Sequence, residues 1–231
     1  MKRINILLTS LVFCLCACQR SPSNQQEDNL SLPIKAPAVA SSFQAKTFVY
    51  QCSNDYSFVA RNDTFESIWL FLPQETLQLH HVRSASGVKY QNSQAQFWSK
   101  GEDAFLDYAR KQYKSCRNNR MLAVWEHSKL NGFDFRAVGN EPGWVLEISQ
   151  EAGIVFKYDY GQSVIKFLYR APNTNSERRR SEYSLNNGEA HIKIILEGKI
   201  CQDTMVEQQY ESTVTVQYAS KTYKGCGKSL H

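Results

Sequence analysis

Apolar and polar residues alternate in short runs along most of the chain from about residue 46 onward. The apolar members are mainly Val, Ile, Phe, Tyr and Leu, and segments rich in Ser, Asn, Asp, Pro and Gly separate the runs. Side chains that alternate in this way point to opposite faces of a strand. Strands with turn-forming residues between them are typical of antiparallel sheets. The pattern therefore predicts an all-β chain with two small antiparallel β-barrel or sandwich domains in tandem.

The predicted strands form two groups. Segment 102–114, at the end of the first group, is ambiguous, because its apolar residues between Phe105 and Tyr113 also fit one face of a helix. We expect the folded part to divide into domains at 46–128 and 129–231. The first group comprises predicted strands at 47–52, 56–61, 65–71, 76–83 and 94–100, and the second comprises 133–138, 144–149, 154–158, 164–169, 191–196 and 212–218.

The N-terminal residues have a different pattern. Lys2 and Arg3 precede an apolar run at 4–15 that is too short to span a bilayer comfortably. A basic start, a short apolar run and small residues are typical of a secretory signal peptide. We expect residues 1–17 to be this signal.

The signal ends in Leu15-Cys16-Ala17-Cys18, which resembles a bacterial lipobox. This resemblance implies cleavage before Cys18 and lipidation of its thiol, whereas the alternative is an ordinary signal peptide with a chance cysteine. Gln19, rather than Asp, follows the cysteine, and this favours the outer membrane. Residues 18–45 are rich in Ser, Gln, Asn and Pro and predict a flexible tether that holds the folded part away from the lipid.

Four of the seven cysteines lie outside the leader, at Cys52, Cys116, Cys201 and Cys226. An even number of cysteines in a secreted chain indicates disulfides formed in an oxidising compartment. Four cysteines allow three pairings, and the order of the domains favours Cys52–Cys116 and Cys201–Cys226.

Charge and motifs exclude several functions. The formal net charge of +5 is spread thinly, without the dense basic stripe of a nucleic-acid-binding protein. Residues 178–180 are three arginines that could contact anionic lipid, but Glu177 and Glu182 flank them and favour a solvated loop. The sequence has no Ser-His-Asp arrangement, no metal-ligand set and no nucleophile elbow, so we expect no catalysis and no cofactor. It does not indicate the oligomeric state.

The first group contains a loop with candidate binding chemistry. Ser84-Ala85-Ser86-Gly87 is a turn of small residues with two hydroxyls, and Phe97 and Trp98 lie on a strand that leads to Lys100. A thin loop with hydroxyls and a nearby ammonium suits a cleft lined with carboxylates. The alternative is a hairpin turn whose serines only cap the backbone.

Ser84 to Tyr90 and Phe97 to Gly101 together resemble the membrane-bound lysozyme inhibitors of c-type lysozyme. Cys52 and Cys116 match the flanking half-cystines of that family, and the resemblance covers about residues 46–117. It implies a small antiparallel barrel that binds c-type lysozyme through a loop serine and a lysine. Ser86 is the first choice for the serine, Ser84 the second and Lys100 the lysine. Gly87, Lys89 and Tyr90 complete the expected binding set, with Tyr90 bracing the loop.

Three motifs mark the second group: 139–144 (GNEPGW), 201–205 (CQDTM) and 225–227 (GCG). They resemble a bacterial envelope domain of unknown function, which implies a fold but no activity. Glu141, Trp144 and Asp203, with Asp159, could form a polar site with an aromatic wall for sugars. The alternative is a rigid turn whose glutamate caps the loop and whose tryptophan fills the core.

These observations favour a periplasm-facing, lipid-anchored inhibitor of c-type lysozyme. The alternative function is an envelope lipoprotein that binds glycans or peptidoglycan fragments.

Overall fold

A computed structural model of the chain describes residues 44–203 and 208–231. The expected signal peptide at 1–17, Cys18 and almost all of the tether at 18–45 lie outside these residues. The last two positions of the 201–205 motif lie outside them as well. The described residues pack into one compact body, and two β units can be distinguished within it.

The first part of the described chain is a closed barrel of eight antiparallel strands, each paired with the next along the sequence. Pairing between the first and last strands closes it, with Tyr50 opposite Asn118 and Gln51 opposite Arg117. The strands are β1 Lys46–Gln51, β2 Ser57–Asn62, β3 Ser67–Phe71, β4 Thr76–Val82, β5 Val88–Gln91, β6 Ala95–Lys100, β7 Asp103–Tyr108 and β8 Lys111–Asn118.

Alternate side chains of these strands fill the barrel interior. The rings of Tyr50, Phe58 and Phe97 pack at centroid separations of 5.4, 5.5 and 6.0 Å. Leu70 and Leu106 are fully buried beside them. Burial of apolar surface stabilises such a core by about 25 cal/mol per Å². The packed barrel therefore gives its end loops a rigid base.

The ambiguous segment 102–114 belongs to β7 and β8, so the helical alternative is wrong. Ala104 and Leu106 are buried and alternate with more exposed neighbours, which is the period of a strand. Ala109 and Arg110 form the turn between the two strands with φ of 52° and 61°. Two successive residues with positive φ are characteristic of a tight hairpin turn.

A helix that the sequence pattern did not predict, α1 Arg120–Leu130, follows the barrel. Asn119 caps its N-terminus, because the side-chain oxygen accepts a hydrogen bond from the Leu122 N–H at 3.1 Å. The Asn119 N–H donates to the Val49 carbonyl of β1 at 2.7 Å. The helix therefore starts directly on the barrel, and it crosses the domain boundary expected at 128/129.

The remaining strands form a curled nine-stranded antiparallel sheet and a separate two-stranded sheet. The strands are β9 Phe135–Asn140, β10 Gly143–Ser149, β11 Gly153–Tyr158, β12 Ser163–Phe167, β13 Asn173–Asn175, β14 Arg180–Asn186, β15 His191–Glu197, β16 Cys201–Asp203, β17 Gln208–Tyr210, β18 Ser212–Tyr218 and β19 Lys221–Ser229. The order in the large sheet is β12-β11-β10-β9-β19-β18-β15-β14-β13, and β16 pairs with β17.

The large sheet curls because its two edge strands, β12 and β13, are neighbours in sequence and are joined by residues 168–172. The Asn187 side-chain amide also donates to the Lys166 carbonyl of β12 at 3.1 Å. The inner face of the nine-stranded sheet holds a core that includes Trp144, Phe156 and Ile192. The sheet therefore has a packed interior of its own, separate from that of the barrel.

Each β unit contains one disulfide, Cys52–Cys116 in the barrel and Cys201–Cys226 in the second unit. The second bond ties β16 to the outer face of β19. The predicted all-β class, with two units and one disulfide in each, is confirmed, although α1 lies between the units. No helix among the described residues has the length and apolar character needed to cross a membrane.

Candidate functional site

The Ser84–Gly87 loop connects β4 to β5 at one end of the barrel. The Ser84 hydroxyl donates to the Gly87 carbonyl at 3.0 Å, so this side chain closes the turn upon itself. Gly87 has φ of 67°, a conformation that glycine adopts at little cost. For Ser84, the capping interpretation agrees with the observed contact.

Strand β6 holds the loop from the side. A Cβ on Gly87 would lie 2.4 Å from the Ser99 carbonyl oxygen and 3.2 Å from the Cβ of Lys100. The Trp98 indole N–H donates to the Ser86 carbonyl at 2.8 Å. Gly87 can approach Ser99 and Lys100 this closely only because it has no side chain. The backbone of the loop therefore lies directly against the end of β6, which bears Lys100.

Two polar groups of this loop region are available to another molecule. Ser86 and Lys100 are exposed, and within 44–203 and 208–231 no hydrogen bond or ion pair engages the Ser86 hydroxyl or the Lys100 ammonium. Glu102, two residues beyond Lys100, is bound to Arg120 and to the Asn118 amide instead. These bonds lower the pKa of Glu102 and keep it ionised and occupied.

The other residues of the expected set flank or support the loop. Lys89 is half-buried and lines a shallow depression of about 580 Å³ together with Arg83, Ser86 and Trp98. Tyr90 is buried, and its hydroxyl donates to the Phe65 carbonyl at 3.4 Å. Burial raises the pKa of Tyr90. Tyr90 therefore lies in the barrel core, where it can brace the loop but not contact a partner.

The second group of candidate residues is only partly brought together. Glu141 and Asp203 line one pocket of about 340 Å³, with Asn140 and Lys224 on its wall. The Asn140 side-chain amide donates to an Asp203 carboxylate oxygen at 2.9 Å. Trp144 does not form the expected aromatic wall: it is 3% exposed and packs in the inner core.

Gly139 and Gly225 explain the position of Trp144. A Cβ on Gly139 would lie 2.1 Å from the indole nitrogen, and one on Gly225 would lie 2.7 Å from the same ring. The tryptophan therefore covers the inner face of β9 and β19 where these glycines leave space. The interpretation as a core residue, which the sequence left open, is the one that the structure supports.

Sequence reasoning missed a buried charge cluster between α1 and the second sheet. Glu147 of β10 binds Arg136 and Lys157 and accepts a hydrogen bond from the Ser128 hydroxyl. Burial raises the pKa of Glu147, but these partners outweigh it and bring the pKa below its ordinary value. The signal was a lone glutamate inside the apolar run 144–148. No group of His, Cys, Asp and Glu able to hold a metal ion occurs in the described residues.

The fold and the end loop define the first β unit as a small closed barrel that presents a polar loop beside an exposed lysine. A profile described as "Membrane-bound lysozyme-inhibitor of c-type lysozyme" matches residues 50–115, which span most of this barrel.

Two curated relatives agree with the profile, and both are called "Membrane-bound lysozyme inhibitor of C-type lysozyme". One, from Yersinia enterocolitica, is 34% identical over 89 residues, which cover 38% of this chain and 74% of the relative. The other, from Pseudomonas aeruginosa, is 30% identical over 112 residues, which cover 46% of this chain and 84% of the relative. No solved structure matches the chain significantly. The chain belongs to the family of membrane-bound lysozyme inhibitors of c-type lysozyme.

Proposed function

We propose that the protein inhibits c-type lysozyme by inserting the Ser84–Gly87 loop and Lys100 into the active-site cleft. The observation that carries this proposal is that the loop bearing Ser86 lies directly against the end of the strand bearing Lys100. The Ser86 hydroxyl and the Lys100 ammonium are exposed and unengaged within the described residues, and Gly87 holds the loop against the strand that bears Lys100. Family membership supports lysozyme as the partner.

The chemistry of the cleft fits this pair. Lysozyme cleaves glycosidic bonds with a protonated glutamic acid in an apolar pocket and an ionised aspartate nearby. The Lys100 ammonium pairs with the ionised aspartate, and the Ser86 hydroxyl hydrogen-bonds to the glutamic acid. An inhibitor that occupies both carboxyls excludes the sugar without being cleaved.

Affinity in this proposal comes from fit rather than from long-range attraction. The chain carries a formal net charge of +5, and the loop is flanked by Arg83 and Lys89. A basic lysozyme would therefore not be steered toward this face by net charge. A desolvated central pair surrounded by complementary surface provides binding energy of this kind.

The proposal includes the arrangement in the envelope. Cys18 is the lipidated residue after cleavage of the 1–17 signal, and the 18–45 tether holds the protein at the outer membrane, facing the periplasm. The 46–128 domain binds lysozyme, and the 129–231 domain extends from it. The names of the two relatives support attachment to a membrane.

A lytic assay with the full chain tests the function. Added at amounts close to those of a c-type lysozyme, the protein should abolish lysis of a peptidoglycan suspension. Inhibition that requires an amount of protein comparable to the amount of peptidoglycan, rather than to the amount of lysozyme, would contradict direct binding to lysozyme.

A second candidate function is the binding of a glycan or peptidoglycan fragment by the second β unit. The observation that favours it is the shared pocket of Glu141 and Asp203. Carboxylates accept hydrogen bonds from sugar hydroxyls, and side-chain amides both donate and accept them.

Titration of the full chain with the N-acetylglucosamine–N-acetylmuramic acid disaccharide, followed by NMR, tests this candidate. Shifts should centre on residues around Glu141 and should weaken in Glu141→Gln. Glu189→Gln, in an exposed hairpin turn, serves as the control. Shifts elsewhere, or none at all, would eliminate the pocket as a glycan site.

A further inference from the structure

A relay of four side chains joins the barrel to the end of helix α1. Arg61 of β2 donates from its Nη2 to the Asn131 side-chain oxygen at 2.9 Å. A guanidinium has no acceptor, so this contact fixes the orientation of the Asn131 amide. The amide nitrogen then faces the Nε2 of His127 at 3.0 Å. Because an amide NH₂ can only donate, Nε2 must accept and carry no proton.

The other ring nitrogen completes the relay. The Nδ1 of His127 lies 3.1 Å from the hydroxyl oxygen of Thr47 on β1. Since Nε2 is unprotonated, the neutral ring carries its hydrogen on Nδ1 and donates it to Thr47. The directions of all three hydrogen bonds are therefore set by Arg61. A proton on Nε2 would place two donors against each other and break the bond to Asn131.

The same helix is fastened to the second sheet on its other side. The Ser128 hydroxyl, next to His127, bonds to Glu147 of β10 and accepts from Arg136 of β9 at 2.8 Å. Helix α1 is therefore held by the relay on the barrel side and by the charge cluster on the other. Loss of the relay would loosen only the last turn of α1 on the barrel side, because Asn119 and Arg120 still hold its first turn to the barrel.

The groups that face His127 disfavour a positive charge there. Arg61 is only 12% exposed; its Nε binds the half-exposed Asp63 carboxylate at 2.7 Å, whereas its Nη1 is buried without a hydrogen-bond partner in the described residues. Arg136 and Lys157, from β9 and β11, add two more cations. Glu147 is the opposing carboxylate on this side, and it is already bound by Arg136, Lys157 and Ser128.

The remaining charged neighbours do not reverse this balance. Glu102 and Arg120, which line the same cavity of about 460 Å³, are paired with each other. Glu126 and Lys129, of opposite charge, flank His127 on its own helix. Burial, followed by the charge of Arg61, lowers the pKa of His127 below its ordinary value of 6.5.

We propose that Arg61, Asn131, His127 and Thr47 form a proton-sensitive latch between the barrel and helix α1. The latch is closed when His127 is neutral and opens when Nε2 is protonated. It lies in the junction between the two β units and is independent of the loop that we propose binds lysozyme.

The direction of the pH effect follows from linkage. The folded state holds His127 neutral more strongly than the unfolded chain does, so the unfolded state binds more protons below about pH 6.5. The stabilisation is fully present above that pH. It is lost as the pH falls toward the lowered pKa of the folded protein, and this group contributes no further change below it.

Asn131→Asp provides the sharpest test, because it inverts the relay. Aspartate still accepts from Arg61, but its second oxygen faces Nε2 as an acceptor and favours the protonated ring. In the wild type, hydrogen exchange of the last-turn amides of α1, corrected for intrinsic rates, should lose several-fold protection from about pH 7.5 to about pH 5.5. In Asn131→Asp, protection should instead rise over the same range.

A second variant and an NMR titration complete the experiment. His127→Gln offers an amide oxygen to Asn131 but does not titrate, so its protection should not change with pH over this range. In NMR titrations of the wild type, His127 should be the Nδ1–H tautomer at neutral pH and should protonate at lower pH in the folded protein than in the urea-unfolded chain. A proton on Nε2 at neutral pH, or the same pH profile in wild type and Asn131→Asp, would overturn the latch.

Discussion

The Ser84–Gly87 loop can lie against β6 only because residue 87 is a glycine. The φ of 67° at Gly87 would cost an alanine on the order of 1–2 kcal/mol. The added Cβ would also lie 2.4 Å from the Ser99 carbonyl. Gly87→Ala should therefore lower the thermal midpoint and move the loop away from Lys100, so that inhibition per folded molecule falls strongly.

Gly188→Ala is the matched control for this change. Gly188 also has positive φ, 92°, but a Cβ there would meet no atom within 4 Å. It should reduce stability by a similar backbone penalty and leave inhibition intact. Inhibition constants and thermal midpoints of both variants decide the point. Equal inhibition by the two would show that the contact between Gly87 and β6 does not position the loop.

The buried ion cluster around Glu147 attaches helix α1 to the second sheet. Glu147→Gln removes the negative charge and leaves Arg136 buried beside an amide. Breaking a buried pair in this way typically costs 3–5 kcal/mol, so we expect a loss of about that size in the free energy of unfolding. Denaturant titration at neutral pH measures it.

The pKa of Glu147 lies below its ordinary value of 4.5, so its stabilising contribution has a definite pH range. It is present above about pH 4.5 and is lost as the pH falls through the lowered pKa of the folded state. The difference between wild type and Glu147→Gln should shrink in that range. Glu182→Gln, which removes a partly exposed pair with Lys193, should have a much smaller effect. Equal losses in both variants would contradict a special role for burial.

The sequence predicted strands better than it predicted the helix. The strands of the barrel alternate cleanly because one face of each is buried. In α1, Ala123 and Trp125 are buried whereas Met121 and Val124 are exposed. Apolar residues on both sides of a helix leave no single apolar stripe, so the usual helical signal is absent. The helix is recognisable only from its Asn119 cap and its tertiary contacts.

The candidate site was predictable in its parts but not in its arrangement. The sequence identified Ser86, Gly87 and Lys100 as separate members of one set, and the barrel places Gly87 against the end of the strand that bears Lys100. It left open whether the serines cap the turn, as Ser84 does, and it did not reveal that Trp98 holds the Ser86 carbonyl, because that contact depends on the strand register. The sequence left open whether Trp144 walls a site or fills the core, because the glycines that accommodate it lie on other strands.

In the proposed arrangement, the whole molecule is attached to the envelope through the thiol of Cys18. Cys18→Ser should leave the protein unprocessed or release it from membranes, because lipid transfer requires the sulfur. Detergent partitioning and mass spectrometry of the mature N-terminus measure this, with Cys16→Ser as the matched control. A wild-type protein that partitions into water, with an N-terminus other than residue 18, would contradict the proposed anchor.

Inhibition constants against one c-type lysozyme test most directly whether the Ser86 hydroxyl and the Lys100 ammonium bind in the active-site cleft. Loss of the cation in Lys100→Ala should cost on the order of 2–5 kcal/mol of binding free energy, because it leaves a desolvated carboxylate unpaired. Loss of the hydroxyl in Ser86→Ala should cost about 1–3 kcal/mol. Lys114→Ala, which removes an exposed lysine of β8, is the control for net charge. The double variant should keep its thermal midpoint nearly unchanged and should no longer inhibit at concentrations where the wild type and the control do. An unaltered inhibition constant in the double variant would contradict binding through Ser86 and Lys100.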